Sequence, residues 1–110
     1  MKKIFLVGIL AMVFFTGCAQ SPQIENLDTF AQCLTEKGAI MYGAKNCPNC
    51  LKQKNMFGDS FQYIDYVECT EEYERCANLR GVPARQFADG SIVEWRQAIE
   101  MLATRTNCKL

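Results

Sequence analysis

Ala39-Ile40-Met41-Tyr42-Gly43-Ala44-Lys45-Asn46-Cys47-Pro48-Asn49-Cys50 is the stretch on which the fold turns. Its first four residues form an apolar run that suits a buried strand better than a helix. From Pro48 to Phe57 the chain has no internal Pro or Gly and is rich in Lys, Gln and Leu, which predicts a helix. Pro48 fits the first helical position, where its missing N–H costs nothing. The Cys-x-x-Cys pair therefore falls where a strand hands over to a helix. Unpaired backbone N–H groups and the helix dipole at that junction favour a thiolate on Cys47. Cys50 lies one turn in, within reach of a mixed disulfide held by Cys47. The expected division of labour is Cys47 as attacking thiolate and Cys50 as resolving thiol. Lys45 adds a positive charge nearby, exposed and screened.

Two other uses of the motif stay open. As half of a zinc site it needs two more ligands, and the chain has no histidine. Cys69 and Cys76 would have to serve, and their spacing matches no familiar ligand pair, so no metal is expected. As a purely structural bridge, 47–50 closes too small a loop to restrain much of the unfolded chain.

Outward from the motif, Leu27, Phe30, Cys33 and Leu34 recur at helical spacing and Gly38 supplies a stop, so Leu27–Lys37 reads as a helix. Gln62–Glu68 reads as a strand and Glu71–Leu79 as a further helix, with acids at its start and Gly81 beyond its end. Arg85–Phe87 and Ser91–Glu94 flank Asp89-Gly90, a hairpin signal. Trp95–Thr104 closes as a helix, with Trp95 expected to pack it onto the sheet. Tyr42, Tyr63, Tyr66 and Phe87 are expected in the core or on a sheet face. The order α-β-α-β-α-β-β-α predicts an α/β fold: a central mixed sheet, parallel in its first half, with a C-terminal antiparallel hairpin and flanking helices.

The absence of histidine excludes His-based acid–base catalysis and any Ser-His or Cys-His triad. Lys2-Lys3, the apolar run Ile4–Phe15 and Thr16-Gly17-Cys18 describe a secretory signal. That run reaches about 18 Å as a helix, short of a ~30 Å hydrocarbon core. Phe15-Thr16-Gly17-Cys18 resembles the bacterial lipoprotein cleavage motif. The resemblance implies removal of residues 1–17, acylation of Cys18, a tether over 18–26, and a folded domain over 27–110. The protein would then be lipid-anchored to a membrane of the bacterial cell envelope, facing the periplasm or extracytoplasmic space. Without Lys2 and Lys3, ten basic residues stand against twelve acidic. A net charge of −2 with no basic cluster offers no nucleic-acid footprint.

Setting Cys18 aside leaves six cysteines, an even number that suggests disulfides in an exported domain. With 47–50 as one pair, three connectivities remain for the others, of which Cys33–Cys108 with Cys69–Cys76 is favoured. The first ties the leading helix to the chain end and is worth about 4 kcal/mol by loop entropy; the second is worth about 2.5 kcal/mol. The second carries a condition. Seven helical residues separate Cα atoms by ~10 Å and a disulfide spans ~7 Å at most, so Cys69 must lie outside the helix. A redox-active 69–76 pair is a sharper alternative.

Strand, Cys47-Pro48-Asn49-Cys50, helix, then Gly81-Val82-Pro83 and the Asp89-Gly90 hairpin, is similar to the thioredoxin superfamily over Leu27 to about Ala103. That resemblance implies a three-layer thioredoxin-like fold. It also implies a cis Val82–Pro83 bond against the motif and a Val82 backbone that pairs with bound polypeptide. Phe30–Ala39, Met41–Ala44, Phe57–Phe61 and Tyr66–Cys69 resemble the thioredoxin-like domain that accompanies bacterial homologues of vitamin K epoxide reductase. The implied partners are secreted or envelope protein thiols and disulfides, and a membrane quinone-linked oxidoreductase. No cofactor is expected. Lys45, Asn46, Pro48 and Asn49 are the positions expected to tune activity. Asn46 stands where many relatives have an aromatic residue, Asn49 where the more oxidising ones have histidine, Met41 where thioredoxins carry a buried acid, and Ala84 where threonine is common. The expectation is a thiol–disulfide oxidoreductase, less oxidising than relatives of the Pro-His type. The alternative is a non-catalytic, disulfide-stapled lipoprotein binding module.

Overall fold

Leu27, Phe30, Ala31 and Leu34 fall on one side of α1 (Asp28–Glu36) and are all buried. In the computed structural model, which describes residues 27–110, they form the floor of the main core. The expected signal segment over 1–17, Cys18 and the expected tether over 18–26 lie outside the described residues. Helix α1 ends where Gly38 takes φ +80°, with Gly38 N–H and Ala39 N–H donating back to the carbonyls of Thr35 and Leu34.

The chain then enters β1 (Ile40–Gly43), the centre of a four-stranded sheet ordered β2-β1-β3-β4. On one side β1 pairs in parallel with β2 (Asp65–Glu68); on the other it pairs antiparallel with β3 (Ala84–Gln86), which forms the hairpin with β4 (Ile92–Glu94). Between β1 and β2 run α2 (Pro48–Asn55) and a 3-10 turn over Gly58–Tyr63. A last helix, α3 (Ile99–Thr106), follows β4. The mixed sheet with flanking helices is the α/β architecture the sequence predicts, and it is compatible with a thioredoxin-like fold.

Alternation along the strands sorts the core into two layers. Met41 faces the large cluster that α1, α3 and Phe57 complete, while Tyr42, Val67 and Ala84 face the opposite side under Cys69, Cys76, Leu79 and Val82. Among the described residues no helix is long and apolar enough to cross a membrane.

Five sequence expectations are corrected. Glu71–Leu79 holds only a 3-10 turn, Tyr73–Cys76. The Cys69–Cys76 bridge draws the two Cα atoms to 5.8 Å, which a continuous helix over that span cannot do. The second strand begins at Asp65 because the 3-10 turn claims Gln62 and Tyr63, and Tyr63 is exposed rather than core. The last helix starts at Ile99, four residues after Trp95. Trp95 itself takes φ 74°, its N–H donates to the Pro83 carbonyl at 2.7 Å, and its indole is 65% exposed, so it extends the hairpin and packs no helix.

Cys33 and Cys108 form the other bridge, with Cα atoms 5.9 Å apart. Asn107 makes it reachable: at φ 60° it reverses the chain after α3 and returns Cys108 to α1.

A dithiol at the N-terminus of helix α2

Cys47 is the N-cap of α2, extended at φ −97° and ψ 114°, with Pro48 at the first helical position. Its sulfur accepts the Cys50 backbone N–H at 3.2 Å, taking the place a serine or aspartate oxygen holds at other helix starts. The same sulfur lies 3.7 Å from the Val82 carbonyl oxygen, to which the thiol donates. The Val82–Pro83 bond is cis and Pro83 is fully buried. The cysteine pair and the Val82-Pro83 loop, far apart in sequence, therefore meet at one spot. Cys47 is half-buried and Cys50 wholly buried; both are free thiols, whereas the other four described cysteines are bridged.

Burial sets the two thiols apart. Cys50 is pushed up to about 12, first by desolvation and then by donating to Cys47; a hydrogen bond with the Ala44 backbone and the charge of Lys54 pull the other way. Cys50 thus keeps its proton until something in the reaction favours the thiolate.

Of the positions expected to tune the pair, Lys45, Asn46, Pro48 and Asn49 are all exposed and form the rim of the dithiol. The cation acting on Cys50 is Lys54, one helical turn beyond it on α2. Lys54 Nζ stands 4.1 Å from the centre of the Tyr66 ring and 5.5 Å from that of Phe61. The Tyr66 hydroxyl donates to Glu68 Oε1 at 2.9 Å, and Glu68 Oε2 accepts from the Thr70 hydroxyl at 2.8 Å and the Thr70 N–H at 3.2 Å. Desolvation would raise Glu68, but the bonds from Thr70, Tyr66 and the Lys45 backbone outweigh it and hold the carboxyl at about 2. Desolvation and the bond to Glu68 raise Tyr66, so the phenol stays protonated.

Gly43 lets this group approach the dithiol. A side chain there would meet the Tyr66 hydroxyl and ring edge at 3.0 Å and the Cys50 Cβ at 3.4 Å, so the tyrosine and the buried cysteine share the space that glycine leaves. The sequence reading passed over Lys54, Tyr66 and Glu68 as site residues. The i, i+4 spacing of Cys50 and Lys54 was the one local sign of them. Among the described residues no three of His, Cys, Asp or Glu gather as metal ligands.

A mixed α/β sheet in which a strand delivers a dithiol to a helix N-terminus, beside a cis Val-Pro loop, is compatible with a thioredoxin-like fold carrying an open cysteine pair. No family model matches the chain. Over 63 residues, 56% of the chain, it is 36% identical to the thiol-disulfide oxidoreductase LTO1 of Arabidopsis thaliana, of whose length it spans 17%. Fold and likeness together support thiol–disulfide redox chemistry.

Proposed function

We propose that this chain is an envelope thiol–disulfide oxidoreductase that exchanges disulfides with protein substrates through Cys47 and Cys50. The observation that carries this reading is the placement of the only two free thiols among the described residues. One is half-exposed at a helix N-cap, and its partner is buried one turn behind it. A stapling bridge has no need of such asymmetry; a two-step exchange does. Cys47 attacks a substrate disulfide, releasing one substrate thiolate and forming a mixed disulfide. Cys50 then attacks Cys47, the bond to the substrate sulfur breaks, and the second substrate thiol leaves. Run backwards, the same steps pass a disulfide to a substrate.

Trp95, its backbone N–H bonded to the Pro83 carbonyl and its indole exposed, adds apolar surface for a polypeptide to cover. We further read Cys18 as a lipid attachment point after removal of residues 1–17, with the domain held at a membrane and passing electrons to a membrane quinone-linked oxidoreductase. The two signals of the N-terminal sequence support the anchor; the resemblance of the Phe57–Phe61 and Tyr66–Cys69 segments to the thioredoxin-like domain that accompanies bacterial homologues of vitamin K epoxide reductase supports the partner.

The test is a redox titration in which alkylated thiols are assigned residue by residue by mass spectrometry. The expected result is a 47–50 couple that titrates alone between about −270 and −120 mV, the span of known oxidoreductases, with the other pairs fixed well below it. Cys50→Ser should trap substrate proteins on Cys47, and Cys47→Ser should abolish turnover. A 47–50 bridge as resistant to reduction as the other two would make the chain a stapled binding module.

A further inference from the structure

The resolving step poses a physical problem. Cys50 is completely buried, its Cβ packed against Gly43 beside the Tyr66 hydroxyl. To attack Cys47 it must become a thiolate in a place that disfavours charge. The titratable and charged groups acting with it are Cys47 at the N-cap of α2, Lys54 on α2 and Tyr66 on β2, with Glu68 behind Tyr66. On β3, Arg85 turns its guanidinium to the Phe57 ring, 5.8 Å from its centroid. Glu68 is tied up by Tyr66 and Thr70, and Tyr66 holds its own proton in the bond to Glu68. Lys54 is the one cation of the set.

We propose that Lys54, seated over the Tyr66 ring, is the positioning residue that admits the Cys50 thiolate during disulfide exchange. The proposal rests on the oxidoreductase reading above and deepens it. Lysine side chains are flexible and hydrated, and a free one would spend little time near a buried sulfur. Here the ammonium is attracted to the faces of Tyr66 and Phe61, which meet edge to face with centroids 5.3 Å apart. Glu68 in turn orients Tyr66. The cation is therefore fixed one turn from Cys50 before the reaction begins.

The chemistry balances without a further reactant. Cys50 gives up its proton, its sulfur forms the bond to Cys47 Sγ, the bond from Cys47 to the substrate sulfur breaks, and the departing thiolate takes up a proton. Lys54 stabilises the intermediate negative charge and exchanges no proton itself. In the reverse direction it stabilises Cys50 as the leaving thiolate, so the assignment holds whichever way electrons flow.

The experiment uses the full-length chain with Cys18→Ser, reduced at 47–50, mixed rapidly with dithiobis-nitrobenzoate, an aromatic disulfide whose released thiolate is coloured. The first equivalent released reports attack by Cys47, the second resolution by Cys50. Raising the resolving thiol by one pKa unit removes ten-fold of its thiolate and returns about three-fold in nucleophilicity, so a net slowing of about three-fold is expected. Lys54→Met should slow the second release by about that factor at each pH from about 6 to 9, leaving the first release unchanged. Lys54→Arg should restore it. Tyr66→Leu, which removes the platform, should repeat the Lys54→Met defect. A second release unaffected by Lys54→Met, or one as slow in Lys54→Arg as in Lys54→Met, overturns the proposal. Absence of the first release from the wild-type chain would instead sink the oxidoreductase reading on which it rests.

Discussion

The guanidinium of Arg85 lies on the central antiparallel strand pair, opposite Met41, and only 2% of the residue is exposed. Neither of its terminal nitrogens has a hydrogen-bond partner among the described residues; the guanidinium lies over the Phe57 ring, 5.8 Å from its centroid. Burial without a hydrogen-bond partner disfavours the charged form and lowers its pKa from 12.5 to about 10. For a base whose folded pKa is depressed, the unfolded chain holds the proton more tightly. The penalty is thus fully present at neutral pH and is relieved only as pH rises through about 10. A buried cation without a partner is a case in which an apolar residue of similar length does better. Arg85→Met should therefore stabilise the protein at pH 7 by about 2 kcal/mol and raise its melting temperature by roughly 10 °C. The excess over wild type should shrink in melts taken above pH about 10. A lower melting temperature in the variant would show that the guanidinium is paired after all.

At the scale of elements, the seating of α2 depends on a contact that no local pattern announces. Gln53, 2% exposed, donates to the Gln97 carbonyl at 3.1 Å and accepts the Gln97 N–H at 2.6 Å, so one amide satisfies both backbone groups of the turn before α3. Gln53→Leu leaves both unmet and should cost about 3 kcal/mol in urea unfolding, without changing the slope of the transition. An unchanged midpoint would mean that water replaces the amide. This contact marks the limit of what the sequence makes legible. Helix α1, strand β1 and the Asp89-Gly90 turn follow from spacing and turn chemistry, and Gly90 indeed takes φ +84°. The segment around Glu71 has helical composition, yet it forms only the 3-10 turn Tyr73–Cys76 inside the loop that the Cys69–Cys76 bridge closes. Trp95 reads as a helix start until the pull of Pro83 and a left-handed backbone are known. At the site, Cys47 and Cys50 are visible as a motif. The Lys54–Tyr66–Glu68 group is assembled by the parallel register of β1 on β2 and by the missing side chain of Gly43, and both are long-range facts.

For the whole molecule, the three cysteine pairs divide the work of folding and of chemistry. By loop entropy the bridge across 75 residues contributes about 4 kcal/mol and the one across 7 residues about 2.5 kcal/mol. A domain of this size has a total stability of only about 5–10 kcal/mol. Opening the 47–50 pair removes a loop too small to matter, whereas opening both others removes most of the margin. Progressive reduction should therefore give two stages. In the first, 47–50 opens and circular dichroism does not change. In the second, at much lower potential, Cys33–Cys108 and Cys69–Cys76 open and tertiary signal is lost at 37 °C. Circular dichroism followed beside residue-resolved alkylation checks this, and full structure in the completely reduced chain would show that the core alone suffices. The separation matters for the proposed chemistry. A protein that opens one disulfide in each cycle needs its staples to stay shut, even though Cys69 follows directly on β2, its N–H bonded to the Gly43 carbonyl beneath the dithiol. Cys108 achieves this by burial. Cys69 and Cys76, only partly covered, must rely on the tight turn that closes over them.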